Sequence, residues 1–135
     1  MRPLSSPKLL TLCVLLFLTG CATGYYPAGW DGGYADLQVA SEVFRVSFQG
    51  NYYTSGEQVR EIALLRAADL AIQYGAPYFQ VMPVSSPPNP PFPYMVEGYR
   101  ATLTIRLMQV PPDPGSEGYD AAMLREQVRT KYQIE

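Results

Sequence analysis

The chain has 135 residues, ten Lys plus Arg against twelve Asp plus Glu, no histidine and two cysteines. With a formal charge of −2 it lacks the basic excess that nucleic-acid binding calls for. Without histidine the commonest general base is missing, and a zinc site, whose usual ligands are several Cys or His, is not expected. Neither a metal nor another cofactor is expected, and no residue is read as catalytic.

Residues 1–20 read as an export signal. MRPLSSPK brings Arg2 and Lys8 and no acid; Leu9 to Leu18, LLTLCVLLFL, is apolar. A membrane-spanning helix needs about 20 apolar residues, so this run suits the short core of a signal peptide instead. It ends in Leu18-Thr19-Gly20-Cys21, which resembles the lipobox of bacterial lipoproteins: an aliphatic residue, two small residues that let the backbone enter the processing enzymes, and a thiol that accepts the lipid. Removal of residues 1–20 also removes Cys13, leaving Cys21 alone and no internal disulfide. Cys21 is therefore expected to carry acyl chains of the palmitate kind. One chain holds a protein to a membrane only reversibly, whereas two or three hold it firmly. The next residue is Ala22 and not aspartate; in enteric-type sorting that implies the outer membrane, with the domain facing the periplasm. Residues 21–135 keep eight basic and twelve acidic side chains, a net −4, so attachment rests on lipid and not on charge.

Residues 21–36 read as a lipidated tether followed by one domain over 37–135. ATGYYPAGWDGGYAD lacks apolar periodicity and is loosened by glycines. Its Tyr25, Tyr26, Trp30 and Tyr34 suit the membrane interface, or else dock back on the domain or stay disordered.

In the domain, Glu42–Gln49 alternates, with Phe44, Val46 and Phe48 on one side and Arg45, Ser47 and Gln49 on the other, and is expected to form a strand. Gly50-Asn51 ends it. Thr54 and Ser55, each followed three residues later by Glu57 or Gln58, announce a helix over Glu57–Tyr74. Val59, Ala63, Ala67, Leu70 and Tyr74 form its packing stripe, and Gly75 closes it. Tyr78–Met82 and Tyr99–Met108 read as further strands; Ala101, Leu103, Ile105 and Leu107 alternate with Arg100, Thr102, Thr104 and Arg106. After the breaker PPDPGS, Tyr119–Tyr132 is expected to be a final helix with Ala121, Leu124 and Val128 on one side. The expectation is an α+β fold, β-α-β-β-(α), with a three-stranded mixed sheet and a helix packed on one face. The first two strands should run parallel and the third antiparallel.

Three features are candidates for function. Pro83–Pro93 holds six prolines, and Pro87, Pro88, Pro90 and Pro91 favour the polyproline II conformation that aromatic-lined grooves read; a stiff exposed connector is the other reading. Arg45, Arg100 and Arg106 share one expected sheet face, where guanidinium groups suit carboxylate or phosphate ligands, unless the last helix covers them. Glu57 and Glu61 lie one turn apart, but negative charge there suits the start of a helix better than acid–base chemistry.

Taken together, FRVSFQGNYYTS, EQVREIALLRAADLAIQYG, YFQV, YRATLTIRL, YDA and KY resemble a family of small proteobacterial lipoproteins over Leu37–Tyr132. The Gly50-Asn51 turn before Thr54, the Arg66-Ala67-Ala68 helix centre and the Gly75-to-Phe79 exit carry the resemblance. The proline-rich loop departs from it. Members are generally described as lipoproteins of unknown function, so the resemblance assigns no catalytic or binding residue. It implies an envelope lipoprotein with a non-catalytic binding or structural role, whose partners are the membrane lipid and an envelope protein. The arginine face offers the rival reading, a module for peptidoglycan or anionic headgroups.

Overall fold

A computed structural model describes residues 24–29, 32–51, 53–83 and 100–135. Along the chain these form β1 (Gly33–Ala40), β2 (Val43–Gln49), α1 (Gly56–Gln73), β3 (Tyr78–Val81), β4 (Arg100–Met108), β5 (Gly118–Asp120) and α2 (Ala121–Tyr132).

The α+β class holds, but the sheet has five strands in the order β1-β2-β4-β3-β5, and every ladder is antiparallel. This corrects the expected three-stranded mixed sheet. β2 and β3 do point the same way, because each runs antiparallel to β4. They never pair, since β4 returns between them. The two strands missing from the sequence reading have identifiable causes. β5 is three residues long, too short for alternation to register. In β1 the pattern is inverted: Tyr34, Asp36 and Gln38 pair with the core-facing Phe48, Val46 and Phe44, while Leu37 faces away beside Arg45. Its first four residues fall inside the stretch read as a tether.

Alternation is correct in β2 and β4. Phe44, Val46, Phe48, Leu103, Ile105 and Leu107 are buried, and their neighbours Arg45, Arg100, Thr102 and Arg106 are exposed. On the buried face lies α1. Ser55 caps it by accepting from the Gln58 N–H at 3.1 Å. Thr54, only 2% exposed, instead exchanges hydrogen bonds with Asn51: the Asn51 N–H donates to its hydroxyl, which donates to the Asn51 side-chain oxygen. A side chain at Gly50 would come within 2.6 Å of Thr54, which accounts for glycine there. At the other end Gly75 takes φ +72°, and the N–H groups of Gly75 and Ala76 return to the carbonyls of Ile72 and Ala71. This is the Schellman closure that glycine favours.

Burial extends well beyond the expected stripe on α1, to Ile62, Leu64, Leu65, Ala68 and Ala71. The helix packs on β2, β3 and β4 on one side and on α2 on another. Tyr74 is the exception in the stripe, exposed but with its ring 4.9 Å from Phe44. The last helix begins at Ala121, with Asp120 as its cap, and buries Ala121 and Val128 as expected. It runs antiparallel to α1: the Ala121 N–H reaches the Pro77 carbonyl beyond the end of α1, and Lys131 reaches Glu57 and Glu61 at its start.

Candidate functional site

The lipobox residues Leu18, Thr19, Gly20 and Cys21, and the prolines Pro87, Pro88, Pro90 and Pro91, lie outside the described residues. The arginine face is described. The register places Arg45 opposite Thr104, Val43 opposite Arg106 and Gln49 opposite Arg100, all on the side away from α1. α2 packs on α1 and β5, so it leaves this face open.

The three arginines share the face without converging. Arg45 and Arg106 are diagonal neighbours, about 7–8 Å apart in such a ladder. Arg100 lies four residues from Thr104, about 13 Å further along β4, and its guanidinium donates to the Gln49 side chain. Neither Arg45 nor Arg106 has an ion-pair partner among the described residues. The outward positions of β1 to β4 carry these three arginines and no carboxylate. Leu37, 60% exposed, adds an apolar patch beside Arg45. A flat surface of this kind can bind an acidic partner by charge, with guanidinium forks on carboxylate or phosphate oxygens.

A second constellation, which the sequence reading missed, lies on the helix side. Tyr25 donates its phenol hydrogen to Asp69 of α1. Its ring lies 4.8 Å from Tyr34 of β1, and the Arg129 guanidinium of α2 sits 5.7 Å from the ring centre. Asp69 also takes Arg125 at 2.9 Å and lies 3.7 Å from Arg129. Beside it, Arg66 holds Asp36 at 2.7 Å and covers the Tyr34 ring at 4.3 Å. Burial, followed by the hydrogen bond to the Asp69 carboxylate and its charge, pushes the Tyr25 phenol far above its usual range. For Arg66 burial opposes the charge, but Asp36 outweighs it and raises the guanidinium. The sequence did hold a signal: Arg66 and Asp69 are charges in the middle of an otherwise apolar helical run.

At the far end of the helix pair, Glu61 takes the Lys131 ammonium at 2.9 Å and the Tyr132 hydroxyl, and Glu57 takes Lys131 at 3.4 Å. Burial works to raise Glu61, but these hydrogen bonds outweigh it and hold its carboxyl below the usual range. The two glutamates thus tie the C-terminal turn of α2 to α1. Arg60 is paired with Glu117. A shallow groove of about 290 Å³ runs between them, lined by Arg60, Leu64, Tyr119, Leu124 and Lys131. Its charged groups are already paired within the protein.

Among the described residues no group of three His, Cys, Asp or Glu side chains is placed to hold a metal ion. No described helix is long and apolar enough to cross a membrane. The chain matches no protein-family model, no curated protein and no solved structure. What the described residues define is a small α+β domain with an N-terminal segment docked on its helix side and, on the other, a sheet face that carries three exposed arginines on β2 and β4.

Proposed function

We propose that this chain is a lipid-anchored protein of the bacterial cell envelope, facing the periplasm and attached through acylated Cys21, most naturally at the outer membrane. It works by contact and not by catalysis, presenting the outer sheet face to an acidic surface of an envelope protein. The single observation behind this reading is charge segregation. In a chain whose residues 21–135 carry a net −4, the outward positions of β1 to β4 hold Arg45, Arg100 and Arg106 with no acid among them. Such a field steers an oppositely charged partner and sets orientation more than raw affinity.

A photoreactive residue at Thr102 or Thr104, both central on this face, should give a discrete cross-linked protein band in cells. Reversing charge with Arg45→Glu and Arg106→Glu should abolish that band. Cross-linking that ignores the reversal rejects the assignment of this face.

The rival reading, a module for peptidoglycan or anionic headgroups, draws on Arg45 and Arg106 having no ion-pair partner among the described residues. It requires the purified protein to sediment with cell-wall sacculi or anionic vesicles, and the Arg45→Ala, Arg100→Ala, Arg106→Ala variant to stay in the supernatant. Equal sedimentation of both proteins sinks it.

A further inference from the structure

The N-terminal segment does not simply leave the domain. Tyr25 is fixed to three elements at once: Tyr34 in β1, Asp69 in α1 and Arg129 in α2. The backbone follows suit, because the Tyr34 N–H donates to the Tyr26 carbonyl at 2.9 Å and the Ala28 N–H to the Tyr34 carbonyl at 2.7 Å. Gly33 permits this approach. It has φ +107°, and a side chain there would meet the Tyr26 carbonyl at 2.5 Å.

This docking sets the length of the leash. From Cys21 to Tyr25 there are four peptide steps, which span at most about 14 Å. If the segment were loose up to β1, twelve steps would span about 43 Å. We infer that Tyr25 is a membrane-proximal clasp: it holds the β1 edge of the domain against the phospholipid headgroups and leaves the β5 edge, four strand spacings or about 19 Å further off, projecting away. The occupant of this edge is the bilayer surface itself, selected by chain length and not by a lipid-binding pocket. Because Tyr25 docks on the helix side of the sheet, the arginine face stays on the opposite side, available to a partner close to the membrane. The inference rests on acylation of Cys21, and its test separates the two.

The acylated protein leaves no other cysteine after processing, so a single introduced thiol can carry a fluorophore. Ala35→Cys, exposed on β1, and Gly115→Cys, in the turn before β5 where a side chain meets open space, mark the two edges. Each protein is reconstituted in phosphatidylethanolamine–phosphatidylglycerol vesicles that carry a headgroup nitroxide quencher. Ala35 should be quenched several-fold more than Gly115, and Tyr25→Ala should reduce that contrast, because the exposed backbone bonds of Tyr26 and Ala28 to Tyr34 then hold the segment alone. Should Tyr25→Ala not fold, Tyr25→Phe keeps the ring and loses the Asp69 bond, and the contrast should shrink in part. Equal quenching of the two edges in a protein whose intact mass includes acyl chains on Cys21 overturns the clasp and leaves the anchor standing. An intact mass without acyl chains overturns both.

Discussion

Tyr25 and Asp69 are 44 positions apart in the chain, yet the Tyr25 hydroxyl donates to the Asp69 carboxylate in a partly buried setting. The bond joins a segment outside the regular elements to the C-terminal half of α1, at a point where Arg125 and Arg129 also reach Asp69. Hydrogen bonds to a charged group contribute about 1.5–3 kcal/mol when well shielded. Tyr25→Phe, which keeps the ring over Tyr34, should therefore cost about 1–2 kcal/mol in urea unfolding. Tyr25→Ala loses the aromatic contacts as well and should cost about 2–4 kcal/mol. In an Asp69→Asn background the Tyr25→Phe penalty should shrink. A penalty unchanged there would show that the two groups are not coupled.

The same environment gives Tyr25 an alkaline signature. Its folded phenol ionises far above the ordinary 10.0. Stability from a raised group is present below the unfolded value and declines once pH climbs past it, because only the unfolded state then sheds the proton. Tyrosinate absorbance followed at high pH should thus lack a contribution from Tyr25 until the domain unfolds. The native-state amplitudes of the wild type and Tyr25→Phe should coincide. A native amplitude larger in the wild type would place Tyr25 among the freely titrating phenols.

Glu61 has the opposite sign. Its folded carboxyl is held below the usual 4.5, since hydrogen bonds from Tyr132 and Lys131 outweigh burial. A depressed carboxylate contributes stability above the unfolded value, and that contribution is lost as pH falls through the folded one. Glu61→Gln should therefore be less stable than the wild type at pH 7, and the gap should close below about pH 4.5. Thermal unfolding of both proteins across that range measures it; a gap independent of pH would assign the loss to packing instead.

These contacts show where the sequence is legible and where it is not. Phe44, Val46, Phe48, Leu103, Ile105 and Leu107 alternate because one face of their strands is buried, so β2 and β4 can be read directly. α1 announces itself through Ser55 and Gly75, each of which satisfies backbone groups that a helix end leaves free. In β1 Asp36 is exposed on the helix side of the sheet and paired with Arg66, which lies 30 positions ahead, so its polarity makes sense only after folding. Local pattern cannot register a charge whose partner lies on another element. The arginine face was legible by period alone; the separation of Arg100 from Arg45 and Arg106 needed the register.

The alanines of α1 carry a packing prediction. Ala63, Ala67, Ala68 and Ala71 are fully buried where the helix meets the sheet and α2. Small side chains permit close approach, and extra methylenes in a filled core force neighbours off their preferred rotamers. Ala67→Leu should cost about 1–3 kcal/mol although leucine is itself a good helix former. Chemical denaturation would show the loss as a lower midpoint. A neutral or stabilising result would mean the interface has room that the buried surface does not suggest.

The end of α2 offers the reverse experiment. Gln133 stands at φ 53°, ψ 44°, the left-handed region, and is the one described residue other than glycine with a positive φ. It pays for a chain reversal that lets the Ile134 N–H reach the Arg129 carbonyl at 3.0 Å and seats Ile134 against the core cluster. A left-handed conformation costs a residue with a side chain about 1–2 kcal/mol, whereas glycine adopts it readily. Glycine's greater freedom in the unfolded chain offsets part of that gain. Gln133→Gly should therefore raise stability by about 0.5–1 kcal/mol, and Gln133→Val should lower it, because a β-branched side chain tolerates this conformation least. The pair is measured by thermal unfolding at neutral pH. If both substitutions destabilise, the Gln133 side chain contributes more than its backbone strain costs, and the closure of α2 depends on side-chain contacts and not on backbone geometry.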